Sequence, residues 1–374
     1  MVKQEIFIKG GEKTMNNYLG QIELTGYKSC RSVTVDLKTV NVLIGGNGAG
    51  KSNFLSVFRL MKALFSGNLQ LFGMQRNSAT LFYNGVKATH TVHLHVKSVD
   101  ADYGADLGLT DDGRLYLKQE SLICGAHTYE ATALSESGLR FSTPGDLNET
   151  MPCRLIRPDN WQVYHFNDTS RSARIKQEQL LVNCERLQED GANLASFLYR
   201  LQRFYKASYI DIVRVMQQVA PYFDDFVLMP TEGGNGTIQL KWRQKGCEDV
   251  FGIAQLSDGT LRFLCLATLL LQPADLQTDV VVIDEPELGL HPYALTLFAE
   301  MVRSTAVYHQ IIVSTQSVEL LNEFNANEVL VADCTDEGTQ LRRLDEAELA
   351  VWLEEDYSLG DLWKKNLLGG RLSR

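Results

Sequence analysis

Hydrophobic and polar positions change period several times along this chain. From Gln21 the segment QIELTGYKSCRSVTVDL alternates apolar and polar residues, as two short half-buried strands do. TVNVLIGG then runs apolar into a glycine-rich turn, the pattern of a fully buried strand. A helix is predicted from Lys51 to about Ser66. Thr91 to Arg154 alternates Val, Leu, Tyr and Thr with Gly and Asp breaks, which predicts antiparallel strands and their connections. Between Arg171 and Val219 apolar residues recur at three-to-four spacing, predicting helices with a break at Gly191. GTIQLKWRQKG reads as a strand and its turn. DVVVIDEP and QIIVSTQS then read as buried strands in a returning alternation of strands and helices.

Composition narrows the class only a little. The chain has 374 residues, 44% of them hydrophobic, enough for a sizeable core in two domains or in one domain with a large insertion. A formal charge of -10 argues against a polybasic protein that coats nucleic acid, although a local basic face would survive that total. The 7 cysteines are scattered without a CxxC pair, which fits a reducing compartment, the cytoplasm, better than a disulfide or zinc framework. No apolar run approaches the length of a membrane span, and the N-terminal residues lack the apolar core of a secretion signal. Met15 is the expected start, because Gly-Gly-Glu-Lys just upstream is what a translated purine-rich ribosome-binding sequence would give.

Two motifs carry chemistry. Gly45-Gly46-Asn47-Gly48-Ala49-Gly50-Lys51-Ser52 satisfies GxxxxGK[ST], between an apolar strand and a helix. Its glycines let backbone N–H groups turn inward around a β-phosphate, Lys51 reaches the β- and γ-phosphates, and the Ser52 hydroxyl ligates Mg²⁺. Gly45, Asn47, Gly48, Ala49, Gly50, Lys51, Ser52 and the adjoining Asn53 are therefore the candidate ATP-binding residues. The second motif is Val280 to Pro286, an apolar strand closing in Asp284 and Glu285. Asp284 suits Mg²⁺ coordination and Glu285 suits a base that orients or deprotonates the attacking water.

With LSDGTLRF at 256–263, IDEPELGLHP at 283–292 and IIVSTQS at 311–317, these residues resemble the ATP-binding-cassette class, specifically its soluble chromosome-maintenance, recombination and OLD-type branch. The resemblance spans residues 18 to 374; YSLGDLWKKNLLGGRL and VYHFNDTS also look like its stand-alone bacterial members. It implies an α/β P-loop ATPase head with an antiparallel β portion and a helical insertion. By residue, it gives an N-terminal lobe over 15–170, the insertion over 171–235 and a C-terminal lobe over 236–374. It also implies a homodimer in which two copies sandwich two ATP molecules, Ser257 and Gly259 of each capping the γ-phosphate held by the other. Taken alone, LSDGT reads as a helix cap with Ser257 or Asp258 at the N-cap.

The class pattern departs at two places. A histidine that contacts the γ-phosphate in much of the class is here Gln316, which cannot become a cation, so slow turnover is expected. The class glutamine between the P-loop and the signature is matched only by Asn84 or Asn167. No counterpart of the TOPRIM nuclease domain of OLD-type proteins is expected, although Asp333 and Asp336 are acidic.

Other clusters read more plainly. His90, His93 and His95 fit a polar surface strand better than a metal site. Arg171, Arg174, Lys176, Arg200, Arg203 and Lys206 fit solvated helix faces or a phosphate-binding surface. Arg262 is placed either to reach nucleotide on another subunit or to pair with the acidic strand. Nucleic acid and a separately encoded effector protein are the candidate partners, in DNA repair or phage defence. A nucleotide-gated scaffold that regulates a partner protein without touching nucleic acid is the alternative.

Overall fold

The computed structural model describes residues 18–139, 161–182, 184–231, 236–354 and 357–370. The expected start at Met15, the end of the antiparallel region up to Arg154 and the last residues of the insertion lie outside them.

The first alternating segment is a hairpin of β1 (Leu19–Tyr27) and β2 (Cys30–Asp36), with Ile22, Leu24, Val33 and Val35 turned into a common core. β3 (Val40–Ile44) is buried at every position and leads through the glycine loop into α1 (Lys51–Phe65), which ends at Ser66 as expected. After α2 (Leu69–Arg76) come β4 (Val92–Ser98), β5 (Ala101–Leu109), β6 (Leu115–Cys124) and β7 (His127–Leu134). They complete an antiparallel sheet of order β2-β1-β4-β5-β6-β7. On β4 the period of two puts Val92, Leu94 and Val96 inward. His93 and His95 point the other way, His93 onto Asp106 at 2.7 Å and His95 between Asp102 and Glu23. Among the described residues no group of three or more His, Cys, Asp or Glu could hold a metal ion.

β8 (Trp161–Tyr164) opens the second half. The described residues of 171–193 correct the helical expectation: they form turns, one 3-10 turn at Arg174–Lys176 and the short β9 (Gln179–Leu180). The buried Gln179 side chain explains why. Its Oε1 accepts the amides of Ala195 and Ser196 at 2.7 and 3.2 Å, so this stretch serves as the cap of the next helix. α3 (Leu194–Phe204) and α4 (Lys206–Val219) are the helices of the region, separated at Tyr205. β10 (Phe223–Val227) follows, and GTIQLKWRQKG divides into β11 (Thr237–Ile238) and β12 (Lys241–Gln244). The two belong to different sheets, since β11 pairs with β9 whereas β12 lies between β10 and β13 (Val250–Gly252).

α5 (Asp258–Leu271) leads to β14 (Val280–Asp284), α6 (Pro292–Thr305), β15 (Gln310–Thr315) and α7 (Val318–Leu321). The hairpin β16 (Val329–Thr335) and β17 (Gly338–Arg343), then α8 (Glu346–Glu354) and α9 (Leu359–Lys364), finish the described chain. The second sheet runs β17-β16-β3-β15-β14-β8, with four of its five pairings parallel and the β16–β17 hairpin antiparallel.

Both faces of this sheet are covered, as a parallel sheet requires. Val281 and Ile283 of β14 pack into a core with α3, α4, α5 and α6, whereas Val280 and Val282 pack into the core shared with α1 and the antiparallel sheet. Such burial leaves the carboxyl ends of the strands as the open edge where ligands bind in folds of this kind. Among the described residues no helix is long and apolar enough to cross a membrane.

Candidate nucleotide site

The strand order brings four segments together at that edge. The glycine loop leaves β3, Gln316 leaves β15, Asp284 and Glu285 end β14, and His165 leaves β8.

The loop is shaped by what lies beneath it. Gly50 is the N-cap of α1 at φ 97, and a β-carbon there would collide with the Thr339 hydroxyl, so only glycine allows both the turn and the contact. No side chain caps α1, leaving its first amides directed at the loop. Asn47 and Gly48 form the exposed tip, and Ala49 is buried. Lys51 is buried, its ammonium donating to the carbonyls of Gly45 at 2.7 Å and Gly46 at 3.1 Å. Burial pulls its pKa below the ordinary lysine value, opposed by the nearby carboxylates of Glu285, Asp284 and Glu287. Ser52 is exposed in the first turn of α1. Asn53 faces elsewhere: its amide donates to Ser29 Oγ at 2.7 Å, and Ser29 bonds Thr339 at 2.8 Å. Thr339 in turn donates to the Ala49 carbonyl, so this relay stiffens the loop from behind.

The acidic end is similarly constrained. Glu285 has φ 50, a left-handed conformation costly for a residue with a side chain. Its amide donates to Ser314 O at 2.9 Å, and its Oε1 accepts the Gln316 side-chain amide at 3.0 Å. The Gln316 backbone amide donates to Glu287 Oε1 at 2.7 Å. Burial raises the Glu287 pKa above the usual carboxylate value, partly countered by that amide. Asp284 Oδ2 lies 3.6 Å from His165 Nδ1. Asp284 Oδ1, His165 Nδ1, Glu287 Oε2 and Ser314 Oγ are all buried without a hydrogen-bond partner. Orphaned polar atoms gathered at one strand edge are what a site for a polar ligand leaves behind.

Sequence reasoning missed His165. Of the two asparagines it weighed, Asn167 offers its carbonyl to Arg262. Asn84 lines a separate cleft of about 700 Å³ with Lys28, Ser29, Asn53 and Tyr83. The available signal was the position of His165 one residue beyond an apolar strand, but only the β8–β14 pairing places it beside Asp284.

The LSDGT turn is a helix N-cap within its own chain: Ser257 Oγ accepts the Thr260 amide at 3.1 Å and bonds the Thr260 hydroxyl at 2.8 Å. Gly259 packs against the backbone of Gly289, whose carbonyl oxygen any β-carbon would strike. Arg262 pairs with backbone carbonyls of its own chain rather than with the acidic strand. It donates to the carbonyls of Leu288 and Asn167, each at 3.0 Å, and so ties α5 to the segments after β14 and β8. Four of the six basic residues have partners within the chain, whereas Arg171 and Lys206 are exposed. Lys176 bonds Thr169 O and Asp258, Arg174 pairs with Asp190 at 2.9 Å, Arg200 donates to Cys184 O, and Arg203 stacks over Tyr199.

Known structures share this fold. The chain is 15% identical to an SMC head in a crystal structure with the C-winged helix domain of ScpA, at a TM-score of 0.60, covering 89% of this chain and 99% of that one. It is 14% identical to an SMC head with an extended coiled coil bound to the C-terminal domain of ScpA from Pyrococcus furiosus. There the TM-score is 0.58 over 91% of this chain and 99% of that one. Such identities establish a common fold and no more. No curated protein matches the sequence significantly. Residues 40–322 match the family model AAA_21, described as "AAA domain, putative AbiEii toxin, Type IV TA system". The match takes in the loop, the signature turn, the acidic strand and Gln316, and the chain belongs to this family of ABC-like P-loop ATPases.

Proposed function

We propose that the protein binds ATP with Mg²⁺ and hydrolyses it slowly, two copies closing around two nucleotides. The observation that carries this reading is the meeting, at adjacent strand ends, of the Lys51 loop with Asp284 and the Glu285–Gln316 pair, around buried polar atoms without partners.

The residues fit the metal. Ser52 and Asp284 offer the oxygen donors that Mg²⁺ prefers, and Asp284 Oδ1 has no hydrogen-bond donor competing for it. Bound there, the ion would neutralise charge on the phosphates. The α1 amides and Lys51 hold the phosphates, the ammonium turning from the Gly45 and Gly46 carbonyls to do so. Glu285 orients the attacking water and accepts its proton, held by the Gln316 amide. Gln316 stays neutral, so charge developing on the transferred phosphoryl group is met by fewer cations than a histidine would give. His165 stands beside the Asp284 carboxylate, its Nδ1 3.6 Å from Oδ2. Ser257 and Gly259 sit at the start of α5, where the helix N-terminus would face the γ-phosphate held by the other copy.

A mass measurement on wild type and Glu285→Gln, with and without ATP and Mg²⁺, tests the reading. ATP should convert wild-type monomer to dimer, and Glu285→Gln should accumulate the dimer with ATP uncleaved. A strictly monomeric chain that hydrolyses ATP at full speed overturns it.

The cycle would act in the cytoplasm as a motor or switch on nucleic acid, in repair or phage defence. DNA stimulation of hydrolysis that falls steeply with salt is the expected signature. The internal contacts of Lys176, Arg174, Arg200 and Arg203 favour weighing a second reading beside it, in which ATP gates a separately encoded protein. SMC heads of this fold hold a domain of ScpA, a precedent for such docking, and hydrolysis indifferent to DNA would select it.

A further inference from the structure

In the sequence Asp333 is an acidic residue of VLVADCTDEGTQLRRLD with no assigned role. In the fold its Oδ1 accepts the amide of Gly370, and the Gly370 carbonyl accepts the amide of Gly46 at 2.5 Å. Gly370, the last described residue, thus lies on the start of the phosphate loop. Gly369 and Gly370 are both left-handed, at φ 79 and 82. A β-carbon on Gly369 would sit 2.8 Å from Asp333 Oδ2, and one on Gly370 would sit 3.1 Å from Val331 Cγ1 and 3.3 Å from Gly45 Cα. Only a glycine pair lets this turn lie so close.

The same segment reaches the other side of the site. Gly360 in α9 donates to Asn322 Oδ1 at 2.7 Å, at the end of α7, the helix that begins two residues after Gln316. Between these ends Leu368 is buried and its carbonyl accepts from Arg342 at 3.1 Å. Beyond Leu368 the buried Gly370 is held by its hydrogen bonds to Gly46 and Asp333 and by close packing on Val331 and Gly45.

We propose that residues 357–370 form a strap whose docking on Gly45 and Gly46 is coupled to nucleotide binding. Docked, the strap fixes the start of the loop so that the amides from Asn47 to Ser52 converge; nucleotide, by reciprocity, holds the strap down. The inference rests on the nucleotide site proposed above and adds a regulated element to it.

The test uses the full chain and a fluorescent ATP analogue with Mg²⁺, together with hydrogen exchange over residues 366–370. Asp333→Leu removes the acceptor, Asp333→Asn keeps an oxygen for the Gly370 amide, and Gly370→Ala displaces the turn while leaving β16 intact. Wild type should bind, and ATP should slow exchange in 366–370. Asp333→Leu and Gly370→Ala should weaken binding about tenfold, within the usual span of such couplings, and Asp333→Asn should stay near wild type. Wild type that binds no nucleotide overturns the site and the coupling together. Wild type that binds, with Asp333→Leu and Gly370→Ala binding equally well, overturns the coupling alone, as does exchange in 366–370 that ignores ATP.

Discussion

The side-chain amide of Gln316 donates to Glu285 Oε1 at 3.0 Å, so the residue standing where a phosphate-contacting histidine is expected holds the carboxylate proposed to orient the attacking water. This pairing gives Gln316 work to do in the free protein as well as at the phosphate. Gln316→Ala is expected to lower steady-state phosphate release about tenfold by freeing the Glu285 side chain, within the range usual for misplaced proton acceptors. Nucleotide affinity, read by titration, should change less than twofold, because the loop and Lys51 are untouched.

Glu285 holds a left-handed backbone at φ 50 to bring its carboxylate round from the end of β14. Such a conformation costs about 1 kcal/mol or more in a residue with a β-carbon. Glu285→Gly is therefore expected to abolish hydrolysis while raising unfolding stability by about 1 kcal/mol in a denaturant titration. A variant both inactive and less stable would show that the turn is not strained by the glutamate.

Ser257 has one observed role and one proposed role to separate. As N-cap of α5 it accepts the Thr260 amide, and Ser257→Ala should cost about 1 kcal/mol for that reason alone. Ser257→Asp keeps a capping oxygen but adds a negative charge where the partner's γ-phosphate is proposed to lie. Its stability should match wild type within a few tenths of a kcal/mol, yet ATP should no longer shift its mass from monomer to dimer.

Lys28 lines the cleft behind the loop, and burial together with Arg76 and Arg59 pushes its pKa down to about 8 from 10.5. The folded state thus holds its proton more weakly than the unfolded chain. Below pH 8 the lysine is charged in both states and the folded state carries the whole cost. Between pH 8 and 10.5 the folded state is neutral while the unfolded chain still binds a proton, so the cost fades as pH rises. Lys28→Gln should be more stable than wild type at pH 7, with the difference in melting temperature disappearing towards pH 10.5.

The sequence alone determined the elements whose causes are local. GxxxxGKS between a buried run and a helix, Asp284 and Glu285 at the end of VVVID, and Ser257 at a helix start each depend on residues within a few positions. Period-two alternation likewise marked β1, β2 and β4. Only the tertiary structure decided what lies beside what. Pairing of β8 with β14 put His165 against Asp284, packing of Gly289 gave Gly259 its reason to be glycine, and Asp333 brought Gly370 onto Gly46. Residues 171–193 show the same limit in reverse, since helical spacing there lost to the demand of α3 for the Gln179 side chain. Apolar periodicity records which face of a segment is buried, whereas strand order and long-range hydrogen bonds depend on partners hundreds of residues away that leave no mark on local spacing.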